Sequence, residues 1–140
     1  MVQDIVDAWV REKDVFEDWL NSLNEHELEY LEYSDIVEHL VDLVINPHYE
    51  RLANKWYGGF DFNKMTVIDD GDYQGTLIFI IPSTTYQPSV DEYIYTHNYY
   101  GSCSGCDALL NAQTMERQDC IKSIMSIALH LIENFKFLGE

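Results

Sequence analysis

The stretch that most constrains the fold is Leu77-Ile78-Phe79-Ile80-Ile81, an unbroken apolar run that Pro82 stops. Successive side chains of a strand point to opposite faces of a sheet. A run that is apolar at every position therefore predicts a central strand, covered on both sides. Its neighbours are legible too. Met65–Ile68 and Tyr73–Ile81 read as two strands joined around Asp70-Gly71, a strong hairpin signal. After a polar loop containing Pro88, residues Tyr93 to Tyr99 alternate. Tyr93, Tyr95, His97 and Tyr99 share one face of this third strand, and Ile94, Thr96 and Asn98 share the other.

Helical spacing governs both ends of the chain. Ile5, Val6, Trp9, Phe16, Trp19, Leu20 and Leu23 recur every three or four residues, with Asp4, Asp7, Glu12, Asp14, Glu17 and Asp18 on the opposite face. A short second helix is expected from about Glu25 to Tyr33. Ser34 then offers an N-cap for a third, striped by Ile36, Val37, Leu40, Val41 and Val44 and ended by Asn46-Pro47. Tyr49 to Trp56 reads as a further helix before Gly58-Gly59. The last helix runs from about Met115 to Phe137 on a stripe of Ile121, Ile124, Met125, Ala128, Leu131, Ile132 and Phe135. Helices, a short antiparallel meander and a long C-terminal helix packed on the sheet make an α+β fold. A single domain over residues 1–140 is expected, with an acidic helical part at 1–46 and the meander, cysteine loop and last helix at 64–140.

Composition narrows the function. The formal net charge is −17, and the first 50 residues hold 14 acidic side chains against Arg11 and Lys13, a net of −12. That surface repels nucleic acid and anionic membrane and attracts a basic groove. Hydrophobic residues make up 46% of the chain, enough to argue against disorder. No apolar run reaches the roughly 18 residues that span a bilayer. The start, Met1-Val2-Gln3-Asp4, has no basic leader, so a cytoplasmic protein is expected.

The local motif that carries chemistry is Cys103-Ser104-Gly105-Cys106. Two thiolates at this spacing suit a zinc knuckle, with Gly105 easing the turn, and zinc wants about four ligands. Cys120 and His97 are the expected third and fourth, giving a structural zinc site of Cys103, Cys106, Cys120 and His97. The competing reading is two thiols packed as small groups under the loop. A redox pair lacks its βαβ context. His39 reads as solvated, and His130 as a hydrogen-bonded, partly buried core histidine. Asp69, Asp70 and Asp72 lack the spacing of a calcium loop and read as a solvated turn. No phosphate loop or nucleophile elbow is present, so no enzyme is expected.

The words Asp72-Tyr73-Gln74-Gly75 and Tyr100-Gly101-Ser102-Cys103-Ser104-Gly105-Cys106-Asp107-Ala108-Leu109 resemble a group of small phage and prophage proteins, mostly uncharacterised. In these a strand opening on an acidic-Tyr-Gln-Gly word precedes a Gly-Ser-Cys-Ser-Gly-Cys-Asp loop, and a helix ends the chain. The resemblance covers roughly residues 66–135. Small size, acidity and a helical extension also resemble anti-CRISPR proteins. The phage-protein likeness carries no activity with it; joined to the acidic surface and the anti-CRISPR likeness in size and charge, it leads to the expectation of a phage-encoded, non-enzymatic inhibitor of a basic, nucleic-acid-processing defence protein of the bacterial host, a Cas9-type nuclease in its most specific form. Asp7, Asp14, Glu17, Asp18, Glu29, Glu32, Glu38 and Asp42 are the expected partner-binding residues. The alternative is a structural or accessory phage protein with a structural zinc site and no nuclease partner.

Overall fold

In the computed structural model, which describes residues 2–51, 59–85 and 87–139, the chain opens with helix α1 (Val2–Ser22). Its inward face is Ile5, Ala8, Trp9, Phe16 and Leu20, all buried. The outward face carries Asp4, Asp7, Asp14 and Asp18, as the spacing predicts. Glu12 departs from that pattern. It is buried on the apolar stripe and pairs with Arg51, which joins the middle of α1 to the segment that ends the helical part. A carboxylate taken out of water needs such a partner.

Helix α2 (Glu25–Glu29) begins at Asn24, whose side chain accepts the Glu27 N–H while the Glu27 carboxylate accepts the Asn24 N–H. The reciprocal pair satisfies two donors that a helix start leaves free. Helix α3 (Tyr33–Leu40) starts two residues earlier than a cap at Ser34 would give: Glu32 is the cap, and its N–H donates to the Asp35 carboxylate at 2.9 Å. Asn46-Pro47 does not end the helical run. The chain widens into a π-helical turn at Val41–Ile45 and continues as α4 (Asn46–Glu50). Pro47 falls in the first turn of α4, directly after the π-helical turn. The expected helix over residues 49–56 lies mostly outside the described residues.

The sheet has the order β1-β2-β3-β4 and is antiparallel throughout, from β1 (Thr66–Asp69), β2 (Gly75–Pro82), β3 (Tyr93–Tyr100) and β4 (Lys136–Phe137). Phe79, Ile81, Ile94, Thr96 and Asn98 are buried on its inner face. Helix α6 (Arg117–Asn134) backs that face with Ile124, Ala128, Leu131 and Ile132, and Thr96 Oγ1 donates to the Leu131 carbonyl at 2.8 Å. β2 is central as expected, but among the described residues its second face is not fully covered: Ile78 and Ile80 remain half-buried, opposite His97 and Tyr95. The tyrosine side of β3 therefore shares the face on which Ile78 and Ile80 are half-buried. Tyr93 and Tyr95 are half-buried there, and Tyr99 is 52% exposed.

The last helix is shorter than its apolar stripe suggests. A separate helix, α5 (Ala108–Ala112), precedes it, and α6 stops at Asn134. Phe135 turns to an extended conformation, and Lys136–Phe137 pairs with the edge of β3 through Ile94↔Phe137 and Tyr95↔Lys136. Phe135 and Phe137 are buried while Lys136 is exposed, which is the period of a strand. One hydrophobic cluster runs from Ile5 in α1 to Phe137 in β4, so both parts of the chain contribute to the same core.

Candidate functional site

The cysteine loop is held at its two ends by one carboxylate. Asp107 is 5% exposed. Its Oδ2 accepts the Gly101 N–H at 2.8 Å, and its Oδ1 accepts the Leu110 N–H at 3.0 Å and the Tyr33 hydroxyl at 2.9 Å. The Tyr33 oxygen in turn accepts the Leu109 N–H at 3.1 Å. The loop, α5 and the start of α3 thus close on one buried polar cluster in which each group has a partner. Burial, reinforced by Asp107, pushes the Tyr33 hydroxyl well above the ordinary tyrosine value, so it stays protonated and donating. Glycine is required at 101 for space: a Cβ there would meet the Cys106 carbonyl oxygen at 2.3 Å and its sulfur at 2.8 Å.

Between these anchors Cys103 and Cys106 are exposed, with their sulfurs 2.7 Å apart. The Cys103 N–H donates to Cys106 Sγ at 3.0 Å, and the Cys106 N–H donates to the Cys103 carbonyl at 3.1 Å. The hydrogen bond from the Cys103 thiol, helped by backbone N–H groups of Cys103 and Ser102, holds Cys106 below the ordinary thiol value. Such a sulfur is a readier nucleophile and a readier metal ligand.

The other two expected zinc ligands lie elsewhere. Cys120 is buried in α6 beside Glu25 and Arg117, and burial, followed by the Glu25 charge, pushes its thiol up. His97 is exposed on the open face of the sheet. Among the described residues no group of three or more His, Cys, Asp or Glu side chains is gathered closely enough to hold a metal ion. The structure therefore brings together Cys103 and Cys106 and leaves Cys120 and His97 apart from them.

Six of the expected partner-binding acids, Asp7, Asp14, Asp18, Glu29, Glu32 and Asp42, are exposed, and Glu17 and Glu38 are half-buried. Among the described residues the ion pairs are Arg51 with Glu12 and Arg117 with Glu25, so none of the eight is neutralised by a cation. Two histidine expectations change. His39 is half-buried and stacks on Trp19, ring centroids 3.7 Å apart, with its Nδ1 2.8 Å from the Asp35 carbonyl oxygen. His130 is exposed, at 3.3 Å from the Asn134 amide.

Two features had no local motif to announce them. A cavity of about 410 Å³ opens beside the Tyr33–Asp107 cluster, lined by Leu31, Val67, Leu77, Phe79 and Leu109 among others. At its edge the Tyr100 hydroxyl donates to Asp69 at 2.5 Å and to the Gly71 carbonyl at 2.8 Å. That bond pushes Tyr100 up to about 12 and holds Asp69 below the usual carboxylate range. The aspartates of the β1–β2 turn are thus turn-forming groups: Asp69 also accepts the Gly71 N–H, and Asp70 accepts the Thr76 N–H.

No protein-family model, no curated protein and no solved structure matches the chain. Among the described residues no helix is long and apolar enough to cross a membrane.

Proposed function

We propose that this chain is a phage-encoded, non-enzymatic inhibitor that acts in the bacterial cytoplasm on a basic, nucleic-acid-processing defence protein. In the specific reading the partner is a Cas9-type nuclease, which holds nucleic acid in positively charged channels. The observation that carries the proposal is that Asp7, Asp14, Asp18, Glu29, Glu32 and Asp42 on the helical part are exposed and have no cationic partner among the described residues, while the same helices bury Trp9 and their aliphatics. A surface of free carboxylates imitates a phosphate backbone. It is drawn to a basic channel by long-range steering and competes with nucleic acid once there. Each exposed pair contributes below about 1 kcal/mol, so the effect is collective.

The test is a comparison of two charge-reversed blocks of similar size. One carries Asp7→Lys, Asp14→Lys, Asp18→Lys and Asp42→Lys; the other carries Asp72→Lys, Asp119→Lys and Glu133→Lys, outside residues 1–50. The first block is expected to abolish inhibition of target-DNA cleavage and the second to leave it in place. Equal inhibition by both would remove the charge-mimic mechanism.

A second reading, a structural or accessory phage protein with a structural zinc site, is favoured by the contact between the Cys103 and Cys106 sulfurs. A zinc ion on this loop is compatible with either function. It is tested by elemental analysis of untagged protein and by melting with and without chelator.

A further inference from the structure

We propose that Cys103 and Cys106 form half of a zinc site that a second copy of this chain completes, so that four thiolates from two loops hold one metal ion at a two-fold axis. The proposal rests on the zinc reading above and changes where the remaining ligands come from.

Three observations carry it. First, the loop brings two sulfur donors together. Its thiols already touch, its turn is closed by the Cys106 N–H to the Cys103 carbonyl, and an N–H points at the Cys106 sulfur. Second, the chain's own alternatives are occupied or turned away: Cys120 is 4% exposed within the core of α6, and His97 sits on the outer face of the sheet. With no third ligand gathered among the described residues, a tetrahedral ion on this pair keeps two positions open to solvent. Third, the loop is shaped for a meeting of like surfaces. Both cysteines are exposed, and the residues around them, Ser102, Ser104 and Gly105, are small, uncharged and exposed. The one carboxylate of the loop, Asp107, is buried and committed to Gly101, Leu110 and Tyr33. The loop tip itself thus presents no carboxylate, the nearest exposed ones being Asp69, Asp70 and Asp72 of the β1–β2 turn beside Tyr100, and an isologous contact supplies an identical thiol pair from the partner.

The chemistry is simple addition of ligands. Zn²⁺ accepts an electron pair from each of four thiolates, the thiol protons leave to solvent, and nothing is oxidised or reduced. Two thiolates on tetrahedral zinc stand roughly 3.8 Å apart, given bonds of about 2.3 Å, so the sulfurs must separate by about 1 Å. Both side chains are exposed and have the freedom to do this by rotation.

Charge adds a signature. Each copy carries a formal net charge of −17, so the copies repel at a distance, and salt relieves that repulsion. Zinc-linked pairing should therefore strengthen with ionic strength, opposite in sign to the binding of a basic partner.

The experiment is a zinc titration of untagged, phosphine-reduced full-length protein. Mass is followed by sedimentation velocity and bound metal by elemental analysis of each species. The expected result is one zinc per two chains in a dimer, reversed by chelator and favoured by added salt. Cys103→Ser with Cys106→Ser should neither bind zinc nor dimerise, whereas Cys120→Ala and His97→Ala should do both. Cobalt substitution should give the thiolate-to-metal absorption of a four-sulfur site. One zinc per monomer, lost in Cys120→Ala or His97→Ala, would overturn the shared site and leave the structural zinc reading standing. No zinc uptake by the wild-type chain would remove both.

Discussion

Asp107 is the residue on which the cysteine loop depends. Its two oxygens satisfy two N–H groups and one hydroxyl, and its own side chain is buried. Asp107→Ala would leave those donors unpaired, at a cost of about 1–3 kcal/mol for each buried group that water cannot reach. A loss of roughly 2–4 kcal/mol in chemical denaturation is expected, with a smaller loss for Asp107→Asn, which keeps one acceptor. Tyr33 supplies a pH signature. Its folded-state value is raised, so its contribution is fully present below the unfolded tyrosine value of about 10 and is lost as pH rises above it. Wild-type stability should fall on the alkaline side of that value, and Tyr33→Phe, measured by denaturation at several pH values, should flatten that limb. An unchanged limb would mean that other groups set it. Gly101→Ala tests the close approach of the loop. The added methyl meets the Cys106 carbonyl at 2.3 Å, so destabilisation and a shifted Cys106 alkylation rate are expected.

At the scale of elements, the parts read most directly were those with a clean period. The stripe of α1, the apolar run of β2 and the alternation of β3 each follow from one rule of side-chain direction. The exceptions have physical reasons, and some left a signal. Glu12 lies three residues after Trp9 and four before Phe16, squarely on the apolar face, yet its charge assigned it to solvent; its partner Arg51 is 39 positions away and invisible to local reasoning. Pro47 signals a stop only if the helix has no way to renew itself, and the π-helical turn before it provides one. Phe135-Lys136-Phe137 carries a strand period inside what looks like a helical stripe. The adjacency of Cys103 and Cys106 was legible, because two residues span so short a loop. The separation of Cys120 and His97 was not, because it depends on which face of α6 and of β3 each occupies. A direct check on the α1 bridge is Arg51→Met, which leaves the Glu12 charge buried without its partner. A loss of roughly 1–3 kcal/mol is expected, largely recovered by adding Glu12→Gln.

The whole molecule divides its chemistry by surface. Exposed carboxylates such as Asp7, Asp14, Asp18 and Asp42, with no cationic partner among the described residues, lie on the helical part, and the thiol loop follows β3. The two surfaces predict opposite responses to salt, so binding to a basic partner and zinc-linked self-association can be separated in one buffer series. The central claim is that the acidic helical face competes with nucleic acid for a basic channel. The most direct measurement is the dissociation constant of the complex with a Cas9-type nuclease across a salt series, for the wild-type chain and for the variant reversed at Asp7, Asp14, Asp18 and Asp42. The account predicts steep weakening of the wild-type complex with salt, and binding by the variant that is both much weaker and nearly independent of salt. A wild-type affinity that ignores salt, or a reversed variant that binds as tightly as the wild type, would contradict it.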